Sequence, residues 1–252
     1  MAEPADRYDS TRHSWEKIWD EASIEVELEA VQYERAQATI RAYLPYLAKE
    51  DRHLEAGSGL SAVVITLREL GYRAQGLDYA INALLESRRH DPGLPLAAGD
   101  VHHLPYRDNC FGSYLSFGVL EHFEHGMLPA LREAHRVIKP GGALVLTIPY
   151  PNLVYRAVQM KRRLSSAGQL TDDEFYESAY TRRQLTDAVS QAGFSVLRVE
   201  PMSHAFTLWG LGVWFRAPGY YRTNRLAETL GVAFERLAPW LFSFSSLLIA
   251  RK

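Results

Sequence analysis

The chain has 252 residues, 47% of them hydrophobic and 23% charged, enough apolar material to bury a full core. The 28 Lys and Arg against 30 Asp and Glu leave a net charge of -2, which gives no electrostatic footprint for nucleic acid. No nucleic-acid partner is therefore expected. The one cysteine, Cys110, forbids an internal disulfide and a cysteine-rich zinc site.

The N-terminal MAEPADRYDSTRHSWEKIWDE is polar and acidic and lacks the apolar core of a signal peptide. Two late apolar stretches, 205–215 and 237–250, fall short of the ~20 residues that span a bilayer. Residues 205–215 also lack the flanking Lys/Arg face of a membrane-surface helix. A soluble, cytoplasmic protein follows as the expectation.

Residues 8–48 read as helical and form an N-terminal cover over 1–50. Trp15 and Trp19 stand one turn apart there, with Tyr33 further on, and each is either a core aromatic or a lid over a ligand. From about residue 52 short apolar runs alternate with helical patterns. The predicted strands are 53–56, 73–78, 94–100, 113–117, 143–149 and 194–200, with a last one at 243–252. The predicted helices are 61–70, 80–89, 128–138 and 181–193. Gly71 and Gly193 fit C-caps, and Thr181 fits an N-cap. Continuous rather than alternating hydrophobicity marks parallel strands covered on both faces, so the chain reads as right-handed βαβ units. The last strand has no helix after it and fits antiparallel beside 194–200. Residues 151–180 and 204–240 stand outside the repeat as insertions in what reads as a single domain, 1–252.

Glu55-Ala56-Gly57-Ser58-Gly59 joins the first strand to its helix. Glycines there permit a tight turn and the close approach of a ligand, and the pattern through Ala62 reads equally well as a dinucleotide loop. Asp78 ends the second strand 19 residues after Gly59, where a carboxylate can accept hydrogen bonds from ribose hydroxyls. Asp100 and Val101 follow the third strand, and Phe117 and Gly118 close the fourth.

With HRVIKPGGALVLTIP (135–149) and the terminal LLIARK, these residues make the chain resemble the class I S-adenosylmethionine-dependent methyltransferases, in particular the type 11, ubiquinone-biosynthesis-like group. The resemblance is dense over 52–150, moderate over 181–202 and 243–252, and poor in both insertions. It implies a doubly wound α/β, Rossmann-like fold: a mostly parallel seven-stranded sheet with an antiparallel last strand, N-terminal helices and helical insertions. It implies S-adenosylmethionine as cofactor, with S-adenosylhomocysteine as product. Glu55 would hold the cofactor's ammonium while Ala56, Gly57, Ser58 and Gly59 offer backbone. Asp78 would take the ribose, Tyr79 and Val101 would sandwich the adenine, Asp100 would accept from its amino group, and Phe117 and Gly118 would flank the methionine end. Ser61 stands where the family has its third loop glycine, a change expected to matter little because small residues suffice for helix–strand packing.

A base is needed only if the acceptor begins protonated. Glu121, His122 and His125 in VLEHFEH are the candidates, and a histidine near pKa 6.5 suits a phenol or hydroxyl. His122 has a packing role as its alternative. His102 and His103 do not have metal-site spacing, and no metal is expected. The insertions imply a pocket for a small acceptor, apolar or aromatic, with O-methylation favoured. An NAD(P)-dependent oxidoreductase is the competing reading; it lacks a Tyr-x-x-x-Lys pair, since Gln159 follows Tyr155 at that spacing. A non-catalytic S-adenosylmethionine-binding module is the third.

Overall fold

The computed structural model describes residues 7–164 and 177–252. In chain order the elements are α1 (Arg7–Glu21), α2 (Ile24–Val31), α3 (Glu34–Tyr43), β1 (Arg52–Ala56), α4 (Ala62–Glu69), β2 (Arg73–Asp78) and α5 (Ile81–His90). Next come β3 (Leu96–Ala98), β4 (Phe111–Phe117), α6 (Leu128–Val137), β5 (Ile138–Pro149) and α7 (Leu153–Leu164). The chain closes with α8 (Arg182–Gln191), β6 (Ser195–Met202), α9 (His204–Trp209), α10 (Arg225–Leu237), α11 (Pro239–Phe242) and β7 (Ser245–Arg251). Of the expected insertion 151–180, residues 165–176 lie outside the described residues.

The seven strands form one sheet in the order β3-β2-β1-β4-β5-β7-β6. The first five pair in parallel, while β7 runs antiparallel to both β5 and β6. This is the expected doubly wound Rossmann-like architecture. The continuous apolar runs read from the sequence are central strands: β4 is buried from Phe111 to Ser116, and Leu247 to Ala250 of β7 are fully buried. Both faces are covered, by a core of Leu54, Tyr114, Leu131 and Leu144 on one side and of Val64, Leu67, Leu115 and Val145 on the other.

Local chemistry sets several boundaries. Thr181 and Gln184 form a reciprocal capping box at the start of α8, so two orphan N–H groups are satisfied at once. The KPGG tetrapeptide, which lies between the predicted helix 128–138 and strand 143–149, is drawn into β5, with a register shift between Phe111 and Ser113. Helix α1 is fastened to the sheet domain by Asn82, whose Nδ2 donates to the Glu16 carbonyl at 2.7 Å and to Asp20 Oδ1 at 2.8 Å. Among the described residues no helix is long and apolar enough to cross a membrane.

The order reverses between β1 and β4, whose carboxyl ends carry the Gly57 loop and Gly118. Open α/β sheets bind ligands at such a switch point.

Candidate active site

Two cavities meet at that crevice. The first, about 220 Å3, is walled by the Gly57–Gly59 loop, Glu55, Asp78 and Tyr79, and covered by Trp15 and Trp19. The second, about 510 Å3, lies between α3, the carboxyl ends of β4 and β5, and the 204–240 insertion. Val63, Phe117 and Gly118 line both, so the cavities touch at the end of β4.

Backbone geometry explains the glycines of the loop. Gly57 has φ +80° and a Cβ on it would stand 2.3 Å from Val119 Cγ2; Gly59 has φ +47° and its Cβ would stand 2.4 Å from Trp19 Cζ2. Either side chain would expel a wall of the cavity. Trp15 and Trp19 stack with ring centroids 5.5 Å apart, so the indole pair expected at i, i+4 does form a cover.

Asp78 locks the loop to β2. Its Oδ2 accepts from Gly59 N–H at 2.7 Å and its Oδ1 from Ala80 N–H at 2.8 Å. A carboxylate has about four lone-pair sites, so capacity remains for a ligand hydroxyl. Burial raises the Asp78 pKa, and the backbone bonds from Ala80, Gly59 and Tyr79 oppose it. Glu55, 5% exposed, has a buried Oε2 without a hydrogen-bond partner. Desolvation, reinforced by Asp78, pushes its pKa up to about 8. The unpartnered oxygen is open to a cationic donor, which would favour the charged carboxylate.

The neighbouring cavity has mostly apolar walls, with Ile40 and Tyr43 from α3 and Phe206 and Tyr221 from the insertion. Glu121, in the 3-10 turn Leu120–His122, is its buried acid: 2% exposed, with Oε2 unpartnered and a pKa driven by burial to about 8. Arg35 supplies a guanidinium, held by donation from Nη1 to the Tyr221 carbonyl at 2.7 Å and set 4.7 Å from the Phe206 ring centroid.

Other expected residues fall elsewhere. Asp100 and Val101 line neither cavity. Asp100 turns into its own loop, where Oδ1 receives the His102 N–H at 2.8 Å and lies 2.9 Å from His102 Nδ1, and Val101 is buried in the core at 3% exposure. Ala56 is fully buried, its carbonyl accepting from Ser116 Oγ at 3.1 Å. Tyr33 caps α3 away from the cofactor-sized cavity, its hydroxyl donating to Glu29 Oε1 at 3.0 Å. His122 is buried edge-on against Trp15, at 5.4 Å between centroids, and contributes to neither wall. His125 sits exposed in the turn beyond. The direction that separates His122 from Glu121 is set by one 3-10 turn.

Ser61 corrects an expectation. It has φ 59°, ψ 25°, the left-handed region, so the position demands a backbone conformation as well as a small side chain. A serine there costs about 1–2 kcal/mol in local strain. Helix α3 lies inside the stretch 8–48 expected as helical, but its place on a cavity wall was not foreseen; Arg35, Ala36, Thr39, Ile40 and Tyr43 fall on one helix face, and that i, i+4, i+8 spacing was the available signal.

Residues 54–146 match the family described as a methyltransferase domain, type 11. That stretch is a methyltransferase domain. The chain is 33% identical over 115 residues to a demethylmenaquinone methyltransferase of Corynebacterium kroppenstedtii, covering 43% of this chain and 48% of that one. It spans less than half the length of the first curated relatives it matches. Among solved structures, a methyltransferase in complex with the Haloferax volcanii Trm112 methyltransferase activator superimposes with TM-score 0.66 at 18% identity, covering 94% of this chain and 96% of that one. A SAM-dependent methyltransferase from Thermotoga maritima gives TM-score 0.62 at 16% identity, with 96% and 99% covered. At these identities the methyltransferase likeness of the structures concerns the fold.

Proposed function

We propose that the protein is an S-adenosylmethionine-dependent methyltransferase acting on a small, apolar acceptor, and that residues 1–252 work as one domain. On this reading 1–50 is the cover, and 151–180 and 204–240 are acceptor-side insertions. One observation carries the choice of cofactor. The smaller cavity is lined by three carboxylates, Glu27, Glu55 and Asp78, and among the described residues no Lys, Arg or His joins its wall. No basic side chain is there to pair a pyrophosphate, which disfavours NAD or NADP, whereas a sulfonium with an ammonium suits buried acids and two indole faces.

The cofactor, when bound, supplies a methyl group on positively charged sulfur, already activated for displacement. The protein's own work is to bind, orient and dry the site. Glu55 meets the ammonium, Asp78 accepts from the ribose, and the backbone of Gly57 to Gly59 follows the ligand closely. Trp15 and Trp19 exclude water. Phe117 and Gly118, on the rim that the two cavities share, would hold an acceptor's nucleophile against the cofactor's methyl group.

Glu121 is the acceptor's polar contact. Its Oε2 takes a proton or a hydrogen bond from an acceptor hydroxyl, and a pKa near 8 suits a base working close to neutral pH. O-methylation of a ring hydroxyl follows as the favoured reaction. The apolar walls, together with relatives that act on demethylmenaquinone, support a quinone-like or phenolic ring as the acceptor class.

Titration calorimetry with S-adenosylmethionine, S-adenosylhomocysteine, NAD and NADP tests the cofactor: heat is expected for the first two alone, and binding of NADP in their place overturns the proposal. Incorporation of labelled methyl into a panel of phenolic, quinone-like and carboxylic small molecules then tests turnover. Tight cofactor binding with no transfer to any of them supports a non-catalytic module instead.

A further inference from the structure

The outer side of the 204–240 insertion carries apolar side chains that none of the described residues covers. Trp214 is 82% exposed, Val213 75% and Leu211 54%, all within four residues. Single exposed apolar residues are ordinary; a contiguous group at a loop tip marks an interaction surface.

The tip is held in shape. Arg216 and Thr223 form an antiparallel bridge, Ala217 N–H donates to the Arg222 carbonyl at 2.9 Å, and Asn224 N–H donates to the Phe215 carbonyl at 3.1 Å. Asn224 Nδ2 also donates to the Trp214 carbonyl at 2.8 Å, so the exposed indole stands on a satisfied backbone. This hairpin brings the backbone of Arg216, Arg222 and Arg225, all exposed, back beside the apolar tip, with the Arg216 guanidinium 4.0 Å from the Trp209 ring centroid and that of Arg222 5.7 Å from the Tyr33 centroid. The basic flank that 205–215 lacks in sequence is supplied by the return strand. No Asp or Glu occurs anywhere in 201–227.

We propose that residues 211–225 dock the protein onto an anionic lipid surface, with Val213 and Trp214 entering the interface and the three arginines meeting lipid headgroups. Tryptophan suits that position because its ring is apolar and its N–H polar. The charge pattern decides against a second copy of the chain. A two-fold dimer through this patch would gather both copies' arginines at one interface with no carboxylate in 201–227 to pair them. An anionic bilayer complements all three, each basic residue near such a surface strengthening binding about fivefold. The docking surface does not depend on which cofactor the neighbouring cavity takes.

The test is co-sedimentation of the full chain with vesicles of equal parts phosphatidylglycerol and phosphatidylcholine, and with phosphatidylcholine alone. Binding to the anionic vesicles is expected to be at least tenfold tighter. The Val213→Ser/Trp214→Ser double variant should lose tenfold or more. Arg225→Glu should lose about fivefold or more, while its new acid at the start of α10 favours the helix. Unchanged melting temperatures establish that both variants fold, and melting shifts would move the test to Trp214→Phe and Arg225→Gln. Absence of binding to the anionic vesicles overturns the proposal, as do variants that bind like the parent. A concentration-dependent dimer that the double variant abolishes, without vesicle binding, also overturns it and gives the surface to self-association.

Discussion

Replacing Glu121 by glutamine tests the buried acid at the acceptor cavity through its effect on stability. The side chain is 2% exposed and its Oε2 has no partner, and burial, with Glu177 acting in the same direction, lifts its pKa from 4.5 to about 8. Between those values the folded protein holds a proton that the unfolded chain has released. Stability attributable to this group therefore falls as pH rises through the window. At pH 5 the cost is about 1 kcal/mol and at pH 7 about 3 kcal/mol, from 1.36 kcal/mol per pKa unit. The pH 7 figure depends almost entirely on the unfolded pKa so long as the folded one stays near or above 7. Glu121→Gln removes the linkage and keeps the shape, so its stability relative to the parent should rise by about 2 kcal/mol between pH 5 and pH 7. The raised pKa of Glu55 acts in both proteins and cancels in the difference. Urea unfolding at the two pH values, with an unchanged m-value, measures it. A difference between variant and parent that is the same at pH 5 and pH 7 refutes a proton held at Glu121.

Three further substitutions separate the roles around the smaller cavity. Asp78→Ala strands the N–H groups of Gly59 and Ala80 and should weaken S-adenosylmethionine binding by about 1–3 kcal/mol in calorimetry; native affinity in a folded variant removes Asp78 from the site. Gly59→Ala combines left-handed strain with a Cβ 2.4 Å from Trp19, and should weaken the cofactor at least tenfold, whereas Gly126→Ala, with φ +83° and nothing within 4 Å of the new Cβ, should lower the melting temperature and leave affinity intact. Equal affinities in the two variants would sink the role given to Trp19. His122→Ala removes the ring packed on Trp15, so the cofactor KM should rise while kcat holds; a fall in kcat alone would return His122 to the chemistry.

The sequence determined the sheet, the glycine loop and the acids at the ends of β1 and β2. Continuous apolar runs, glycine punctuation and the Thr181 cap are signals carried by neighbours in the chain, and each element formed within a few residues of its expected bounds. The fate of Glu121 against His122 and His125 was not legible, because the 3-10 turn Leu120–His122 and the turn after it decide which of these polar side chains faces a cavity. Asp100 looked equivalent to Asp78 by position, yet its own histidine neighbour captured its carboxylate, a local hydrogen bond that a strand-end pattern cannot express. The acceptor cavity was the least visible of all. Its walls come from α3, two strand ends and a hairpin nearly 190 residues further on, joined where Arg35 reaches the Tyr221 carbonyl. Periodicity reports which face of an element is apolar; which other element that face meets is decided only when the whole chain has packed.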